Sequence, residues 1–373
     1  MSRSDARTNK RVLARIQRLC CLGIGGEMLV PDLMREVFDL IPSRHGVFYW
    51  VGENQQIINT YHTYPPAIMN LFLKEFYLKD RQTALIKTIS RFKYWPSSNP
   101  VRQLEQTLLV DRPTFLRSEF YNVLWRAAEI HEPLMLGVWS AGRISGMLHI
   151  SRSAGEPSFG PNDIKMLESI AGFVGHGMTR VTLGDDAFAD GEDRALFVAD
   201  RDGTIRHANR QARTLLMMAL NSRVSPDSSW RGIDEPVPEI TRLCRTLSGI
   251  ATGDTGQAPP VLRLRNPWGE FVLRAYWFGV TDGAEQTRQI GITIERRVPR
   301  ALALRRWVED LPLTAREKQL CLLLARDQSG QNLADGMGLA ASTVITHQRS
   351  IYAKLGVHNR TGLLAALEPR FLS

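Results

Sequence analysis

The chain has 373 residues, a hydrophobic content of 43% and a formal net charge of +9. This length predicts two or three domains, and the basic balance favours an anionic partner such as nucleic acid or a membrane surface. Four cysteines without a C-x-x-C pair argue against a disulfide scaffold and a zinc finger, and they fit a reducing cytoplasm. No run approaches the roughly 20 apolar residues of a membrane-spanning helix.

The first block, residues 9–183, mixes helical and strand patterns. Apolar side chains at helical spacing predict two helices, one through Val12, Ile16 and Leu19 and one through Leu33, Val37 and Leu40. "HGVFYWV" and "QQIINTY" predict a hairpin, and a mostly helical stretch follows. A second hairpin, "PLMLGVW" with "RISGMLHIS", leads through "PSFGPND" into a long helix. This order resembles a GAF sensor domain and therefore implies an α+β fold.

Aromatic side chains concentrate on the predicted strands of this block. They suggest a small-molecule pocket lined by Phe48, Trp50, Tyr61 and Trp139. Core packing is the preferred interpretation, because large aromatic side chains on strands are more often part of the core.

The acidic stretch "LGDDAFADGED" predicts a solvated linker over residues 184–194.

In the second block, residues 195–298, "LFVAD" and "TIRHAN" predict a hairpin, and Asn209 is placed to cap a helix. "NSRVSPDSSWRGIDEPVPE" predicts a loop. Three strands follow, with "PWG" and "DGAEQ" as their turns. Five strands around a helical segment resemble an α+β PAS domain.

The third block, residues 311–373, follows a predicted connecting helix at 299–310, "RALALRRWVED". Thr314 and Glu317 have the spacing of a capping box at the start of a helix. Ser329 is placed to cap a short second helix through Leu333 and Ala334.

A longer third helix is predicted from Ser342 to Leu355, with Gly356 as its C-cap, and Asn359 caps a fourth helix. A short helix, a glycine turn and a longer helix form a helix-turn-helix unit, whose second helix enters the DNA major groove.

The third helix has two faces. Val344, Ile351 and Leu355 recur at helical spacing and are predicted to pack inward. Polar and apolar side chains lie on the face opposite to these three residues. Two basic residues near the end of the helix are placed to contact DNA phosphates. From Arg300 to Ser373 there are ten Lys and Arg against six Asp and Glu, which favours a salt-dependent attraction to DNA.

This block resembles the LuxR-type helix-turn-helix domain, through residues at fixed spacing over about 57 positions that include "LTARE", Thr343-Val344, His347 and "KLGVHNR". The resemblance implies an all-α four-helix domain in which the third helix reads DNA and the fourth supports dimerisation. The candidate DNA-binding residues are Ser342, Thr343, Ile345, Thr346, Arg349, Lys354 and Arg360.

The block departs from the family pattern at residues 330–334, where the family commonly has Asn-Lys-Glu-Ile-Ala. Ala340 also replaces a capping serine, Ile345 a lysine, and Gln348 an apolar residue. Ile345 is interpreted either as an idle exposed residue or as a contact to a thymine methyl group.

The sequence therefore predicts a cytoplasmic, multidomain bacterial regulator that binds double-stranded DNA as a homodimer. A small-molecule ligand and RNA polymerase are further candidate partners. Two alternatives remain: an acyl-homoserine-lactone receptor, suggested by "EFYLKDRQTALIKTISRFKYWPS", and an interaction module whose helix-turn-helix no longer reads DNA. No P-loop, haem-attachment or catalytic motif stands out, so no enzyme, cofactor or metal is expected.

Overall fold

The structure is a computed structural model that describes residues 3–77, 85–86, 95–140, 142–153, 155–179, 188–189, 193–224, 236–252, 258–278, 289–325, 333–334 and 337–367. The chain divides into two compact units, Met1–Leu183 with Asn221–Arg231, and Gly184–Leu220 with Gly232–Ser373. No helix within the described ranges is long and apolar enough to cross a membrane.

The first unit combines helices with one sheet. Its helices are α1 (Arg3–Cys20), α2 (Gly26–Leu40), α3 (Pro66–Leu71), α4 (Leu104–Thr107), α5 (Arg112–Arg117) and α6 (Pro161–Gly177). Two π-helical segments occupy Phe72–Tyr77 and Phe120–Trp125. Its strands are β1 (His45–Val51), β2 (Ile57–His62), β3 (Val101–Gln103), β4 (Glu132–Ser140) and β5 (Arg143–Arg152). The sheet is antiparallel, in the order β2-β1-β5-β4-β3.

Both predicted hairpins and the predicted long helix are present in the first unit. The apolar side chains predicted to line α1 and α2 are all buried: Val12, Ile16, Leu19, Leu33, Val37 and Leu40. Helix α6 lies so close to β4 that a Cβ at Gly175 would clash with the carbonyl oxygen of Trp139, so only glycine fits there. The stretch predicted to be helical also contains β3, which is too short to produce an alternating pattern.

The second unit contains another antiparallel sheet. Its strands are β6 (Phe188–Ala189), β7 (Arg194–Ala199), β8 (Ile205–Ala208), β9 (Val261–Asn266), β10 (Gly269–Phe278) and β11 (Gln289–Pro299). The main order is β8-β7-β11-β10-β9, with β6 paired to β11. With β6 left aside, both sheets have the same strand order, since in each the first two strands form a hairpin and the last strand lies beside the first.

The helices of the second unit are α7 (Arg210–Leu220), α8 (Pro238–Ala251), α9 (Arg300–Asp310), α10 (Ala315–Ala325), α11 (Ala341–Leu355) and α12 (Arg360–Leu367). Leu333 and Ala334, between α10 and α11, are also helical and buried. The Asn209 side chain caps α7 as predicted, because its Oδ1 accepts a hydrogen bond of 2.8 Å from the Ala212 amide.

Two expectations for this part of the chain are corrected. Part of the predicted solvated linker belongs to the sheet, because Phe188–Ala189 pairs with β11 and Ala189 is buried. The predicted loop at 221–239 ends inside a helix, since Pro238 is the first residue of α8, where its missing N–H costs no hydrogen bond.

The beginning of the same stretch is part of the first unit, where the Val224 amide donates a hydrogen bond of 2.8 Å to Asn59 Oδ1 of β2. Ser329, the predicted "DGAEQ" turn and most of "EFYLKDRQTALIKTISRFKYWPS" lie outside the described residues.

Candidate nucleic-acid interface

Glu317 organises the start of the C-terminal block. The predicted capping box is present: the Thr314 amide donates to the Glu317 carboxylate at 2.6 Å, and the Glu317 amide donates to Thr314 Oγ1 at 3.3 Å. The same carboxylate accepts hydrogen bonds from two residues of α11, Ser350 Oγ at 2.6 Å and Lys354 Nζ at 2.7 Å. Glu317 therefore fixes the beginning of α10 to the C-terminal half of α11.

This carboxylate is ionised over the whole ordinary pH range. Burial would raise the pKa of Glu317, but hydrogen bonds from Lys354, Ser350 and Thr314 outweigh it and lower the pKa to about 2. The two partners of the ion pair differ in burial, because the Glu317 side chain is 4% exposed and the Lys354 side chain is 38% exposed.

Helix α11 has the two predicted faces. Val344 and Ile351 are buried in a core shared with α10 and α12. Ser342, Ile345, Thr346 and Arg349 are exposed and follow an i, i+3, i+4, i+7 spacing, so they form one continuous strip that we name the reading strip. Thr343 lies beside this strip and is half-buried.

The reading strip contains one cation and one large apolar side chain. Arg349 is exposed, and within the described part of the chain no acidic side chain is seen paired with it. Ile345 is 48% exposed. Thr346 Oγ1 donates a hydrogen bond of 3.0 Å to the Ser342 carbonyl, a bond that lies within the helix. The strip therefore combines a guanidinium, hydroxyls and a methyl surface, the groups that contact base edges in a major groove.

The two basic side chains predicted to meet phosphate have partners inside the domain. Lys354 binds Glu317, and Arg360 donates to the Leu324 carbonyl from Nη2 at 2.8 Å and from Nε at 3.2 Å. Both cations are therefore separate from the reading strip, and each joins α10 to a later helix. Their partners lie more than 30 residues away in sequence, so no local pattern could have indicated these bonds.

Helix α11 ends where the sequence predicts. Gly356 caps its C-terminus with φ 65° and ψ 29°, a left-handed conformation that favours glycine. Asn359 Oδ1 then accepts a hydrogen bond of 2.7 Å from the Gly362 amide at the start of α12. At the N-terminus of α11, Ala340 provides no side-chain cap.

We expect Ala340→Ser to stabilise α11 by about 1 kcal/mol, because a serine hydroxyl would accept a hydrogen bond from an amide of the first turn. The measurement is amide hydrogen exchange of the α11 peptide, which should slow roughly fivefold. Ala341→Ser, one residue inside the helix, is the matched control and should give no gain. Equal protection in the two variants would contradict the capping explanation.

Helix α9 belongs to the core of the C-terminal block. Its Leu304 and Val308 side chains are buried with Leu320 and Leu324 of α10. Lys318 of α10 donates a hydrogen bond to the Glu309 carbonyl of α9. The predicted connecting helix is therefore also a structural helix of the domain that it connects.

The other end of this arrangement contacts the second sheet. Asp193, within the predicted linker, accepts from Arg306 of α9 at 3.2 Å and from Arg296 of β11 at 3.3 Å. Arg296 also donates to the Trp268 carbonyl at 2.7 Å, and its side chain is almost fully buried. Helix α9 thus joins the second sheet to the helix-turn-helix, through the Asp193 ion pairs on one side and the buried Leu304 and Val308 on the other.

A cleft in the first unit includes none of the four residues of the predicted ligand pocket, because it lies on the other face of the sheet. Tyr49 lines the cleft, whereas its strand neighbour Trp50 points the opposite way, where its indole lies beside Gly26 of α2. Phe48 packs against Trp50, and Tyr61 stands opposite Phe48 in the sheet, so both share that other face. Trp139 is not among the lining residues either.

Comparisons with known proteins identify the C-terminal block. Residues 311–366 match the family model described as bacterial regulatory proteins, luxR family. This span contains α10, α11 with the reading strip, and all but the last residue of α12. No curated protein matches the chain at the level of sequence.

Solved structures give distant likenesses. The chromophore-binding domain of a bacteriophytochrome from R. palustris shares 15% identity over 47% of this chain, with a TM-score of 0.29, and the match spans 61% of that domain. Escherichia coli SdiA shares 10% identity over 97% of this chain and 96% of its own, with a TM-score of 0.29. Vibrio cholerae VqmA shares 18% identity over 47% and 81%, with a TM-score of 0.17. These scores are too low to establish a common fold.

Proposed function

We propose, from the luxR-family domain at its C-terminus, that this protein is a bacterial transcriptional regulator that binds specific DNA sequences in the cytoplasm as a homodimer. The observation that carries the proposal is the reading strip, Ser342, Ile345, Thr346 and Arg349, which stands exposed on the second helix of a helix-turn-helix within the matched residues.

Arg349 is the principal candidate for a base contact, since a guanidinium can donate two hydrogen bonds to guanine O6 and N7. Ile345 supplies methyl groups at the same surface, and a thymine methyl is the partner that fits them. The isoleucine in place of a cation therefore shifts the preference of the strip toward a T·A pair and lowers its affinity for phosphate.

We further propose that the α+β first unit is a GAF-like sensor and that the second sheet with α7 and α8 is a PAS-like domain. Helix α9 is the natural path for the signal, because it is bonded to β11 through Asp193 and is packed into the helix-turn-helix core through Leu304 and Val308. A signal that favours one position of α9 would change the spacing of two recognition helices in a dimer.

Arg349→Ala is expected to weaken binding to a selected genomic DNA site by about 5- to 150-fold, which corresponds to the 1–3 kcal/mol of a good base contact. Sites would first be selected from genomic fragments with the wild-type chain, and affinities would then be measured by fluorescence anisotropy at several salt concentrations. Arg210→Ala removes an exposed arginine outside the matched domain and should leave the affinity unchanged.

The salt series separates two roles for Arg349. Loss of a base contact leaves the salt slope unchanged and relaxes the preference at one base pair, whereas loss of a phosphate contact reduces the slope by about 1. Equal binding by wild type and Arg349→Ala at every salt concentration would exclude the reading strip as the DNA contact.

A module that does not read DNA is the second candidate, favoured by the internal partners of Lys354 and Arg360, which leave fewer free cations for phosphate. Failure of the wild-type chain to enrich any sequence from random DNA would support it. An acyl-homoserine-lactone receptor is the third, and ligand-dependent solubility of the chain would distinguish it.

A further inference from the structure

The cleft of the first unit is built from the open face of the sheet and from both π-helical segments. Met147 and His149 of β5 and Met135 of β4 contribute from the sheet. Phe72 and Trp125 contribute from the two π-helical segments. Such segments are rare and recur at functional sites. Methionine side chains adapt their shape readily, so this wall can close around a small molecule.

The wall carries no Asp, Glu, Lys or Arg among the described residues that line it. Against these residues a charged ligand would lose its hydration without gaining a counter-ion, so they disfavour a charged ligand. The polar groups of the wall are neutral: the Tyr49 and Tyr64 hydroxyls and the His149 imidazole. Tyr64 is already engaged, since its hydroxyl lies 2.9 Å from Ser151 Oγ.

His149 is the feature that points to a ligand. The residue is 7% exposed, and no donor or acceptor of the described residues reaches its Nε2. Buried polar groups in folded proteins are nearly always hydrogen-bonded, so an unpartnered nitrogen on the wall of a cleft calls for a partner from a bound molecule. Burial lowers the pKa of His149 to about 4, so the imidazole is neutral and suits a neutral partner.

We propose that this cleft takes an uncharged, largely apolar small molecule with one hydrogen-bonding group that meets His149 Nε2. This assignment deepens the sensing role proposed above and rests on it for its biological meaning. The lining residues determine this ligand chemistry. Their aromatic and thioether groups favour a ligand with a large apolar surface, and the imidazole favours a ligand with one polar atom.

The test uses three probes of equal ring size with the full-length chain in equilibrium dialysis at pH 7.5. These are 2-naphthol, 2-methylnaphthalene and 2-naphthoate. We expect 2-naphthol to bind about 2- to 10-fold more tightly than 2-methylnaphthalene, the effect of one hydrogen bond, and at least about 10-fold more tightly than the anion. No binding of any probe, or tightest binding of the anion, would overturn the proposal.

His149→Phe should remove the preference for 2-naphthol and leave the binding of 2-methylnaphthalene in place. His62→Phe is the matched control, because it removes another buried histidine of the same sheet whose Nε2 is also unpartnered but which does not line the cleft. A preference that survives in His149→Phe would contradict the role given to this nitrogen.

The wild-type chain supplies a second measurement in case the variant does not fold. In protein labelled with ¹⁵N-histidine, 2-naphthol should shift the Nε2 resonance of His149, and 2-methylnaphthalene should shift it much less. Equal shifts would overturn the hydrogen bond. Because neither experiment contains DNA, a negative result would contradict the cleft assignment alone, whereas failure to select DNA sites would contradict the regulator assignment alone.

Discussion

Acidification from pH 6.5 to pH 4 is expected to reduce the free energy of unfolding of the first unit by roughly 5 kcal/mol, about 2.5 kcal/mol for each of two histidines. His62 and His149 are 3% and 7% exposed, and burial lowers the pKa of each to about 4. Since the unfolded chain binds protons near pH 6.5 and the folded chain near pH 4, this stability is present above pH 6.5 and is lost as the pH falls toward 4.

The measurement is pulsed hydrogen exchange of the β1 and β5 peptides across a urea series at several pH values. Each histidine should add a slope of about 1 kcal/mol per pH unit between pH 6 and pH 4.5. Carboxylates also titrate toward pH 4, so the informative quantity is the difference between the wild type and His62→Phe/His149→Phe. If the two proteins have equal slopes, the histidines are not held neutral by burial.

Lys354→Met is expected to destabilise the helix-turn-helix domain by roughly 2–4 kcal/mol, because it leaves the Glu317 carboxylate buried without its counter-ion. The partial exposure of Lys354 keeps the expected loss below that of a fully buried pair. Hydrogen exchange of the α10 and α11 peptides would report the loss.

Glu317→Gln/Lys354→Met is the control for this prediction. Glutamine retains the capping box, so removal of both charges should recover most of the stability lost in Lys354→Met. A double variant as unstable as Lys354→Met would mean that methionine disturbs the packing instead. Lys354→Met also tests whether this lysine contacts phosphate. Under conditions in which the variant is fully folded, the salt dependence of its DNA affinity should equal that of the wild type.

The helix-turn-helix was predictable because its signals are local. The capping box at Thr314 and Glu317, the left-handed cap at Gly356 and the Asn359 cap each depend on a few neighbouring residues, and all three are present. The further bonds of Glu317 were not predictable, because Ser350 and Lys354 join it only after the helices pack. Two of the seven predicted DNA contacts, Lys354 and Arg360, have partners in another helix for the same reason.

The face of the sheet that carries the cleft could not be predicted from β1. Every residue of His45–Val51 is buried, since helices cover one face and the cleft walls cover the other. A strand buried on both faces has no alternation of polar and apolar residues, and the aromatic pattern alone cannot select a side. His149 was the available signal, as a polar residue between Leu148 and Ile150 in a strand of buried residues.

Helix α9 affects how this domain can be transplanted. A chimera joined at Leu311 would contain every residue that matches the luxR family, yet it would lack Leu304 and Val308 and would open the hydrophobic side of α10 to water. The portable segment therefore begins at Arg300. In a fusion joined later in the chain, the partner must supply its own helix in the place of α9, because otherwise the helix-turn-helix domain folds poorly. This requirement restricts the choice of fusion partner.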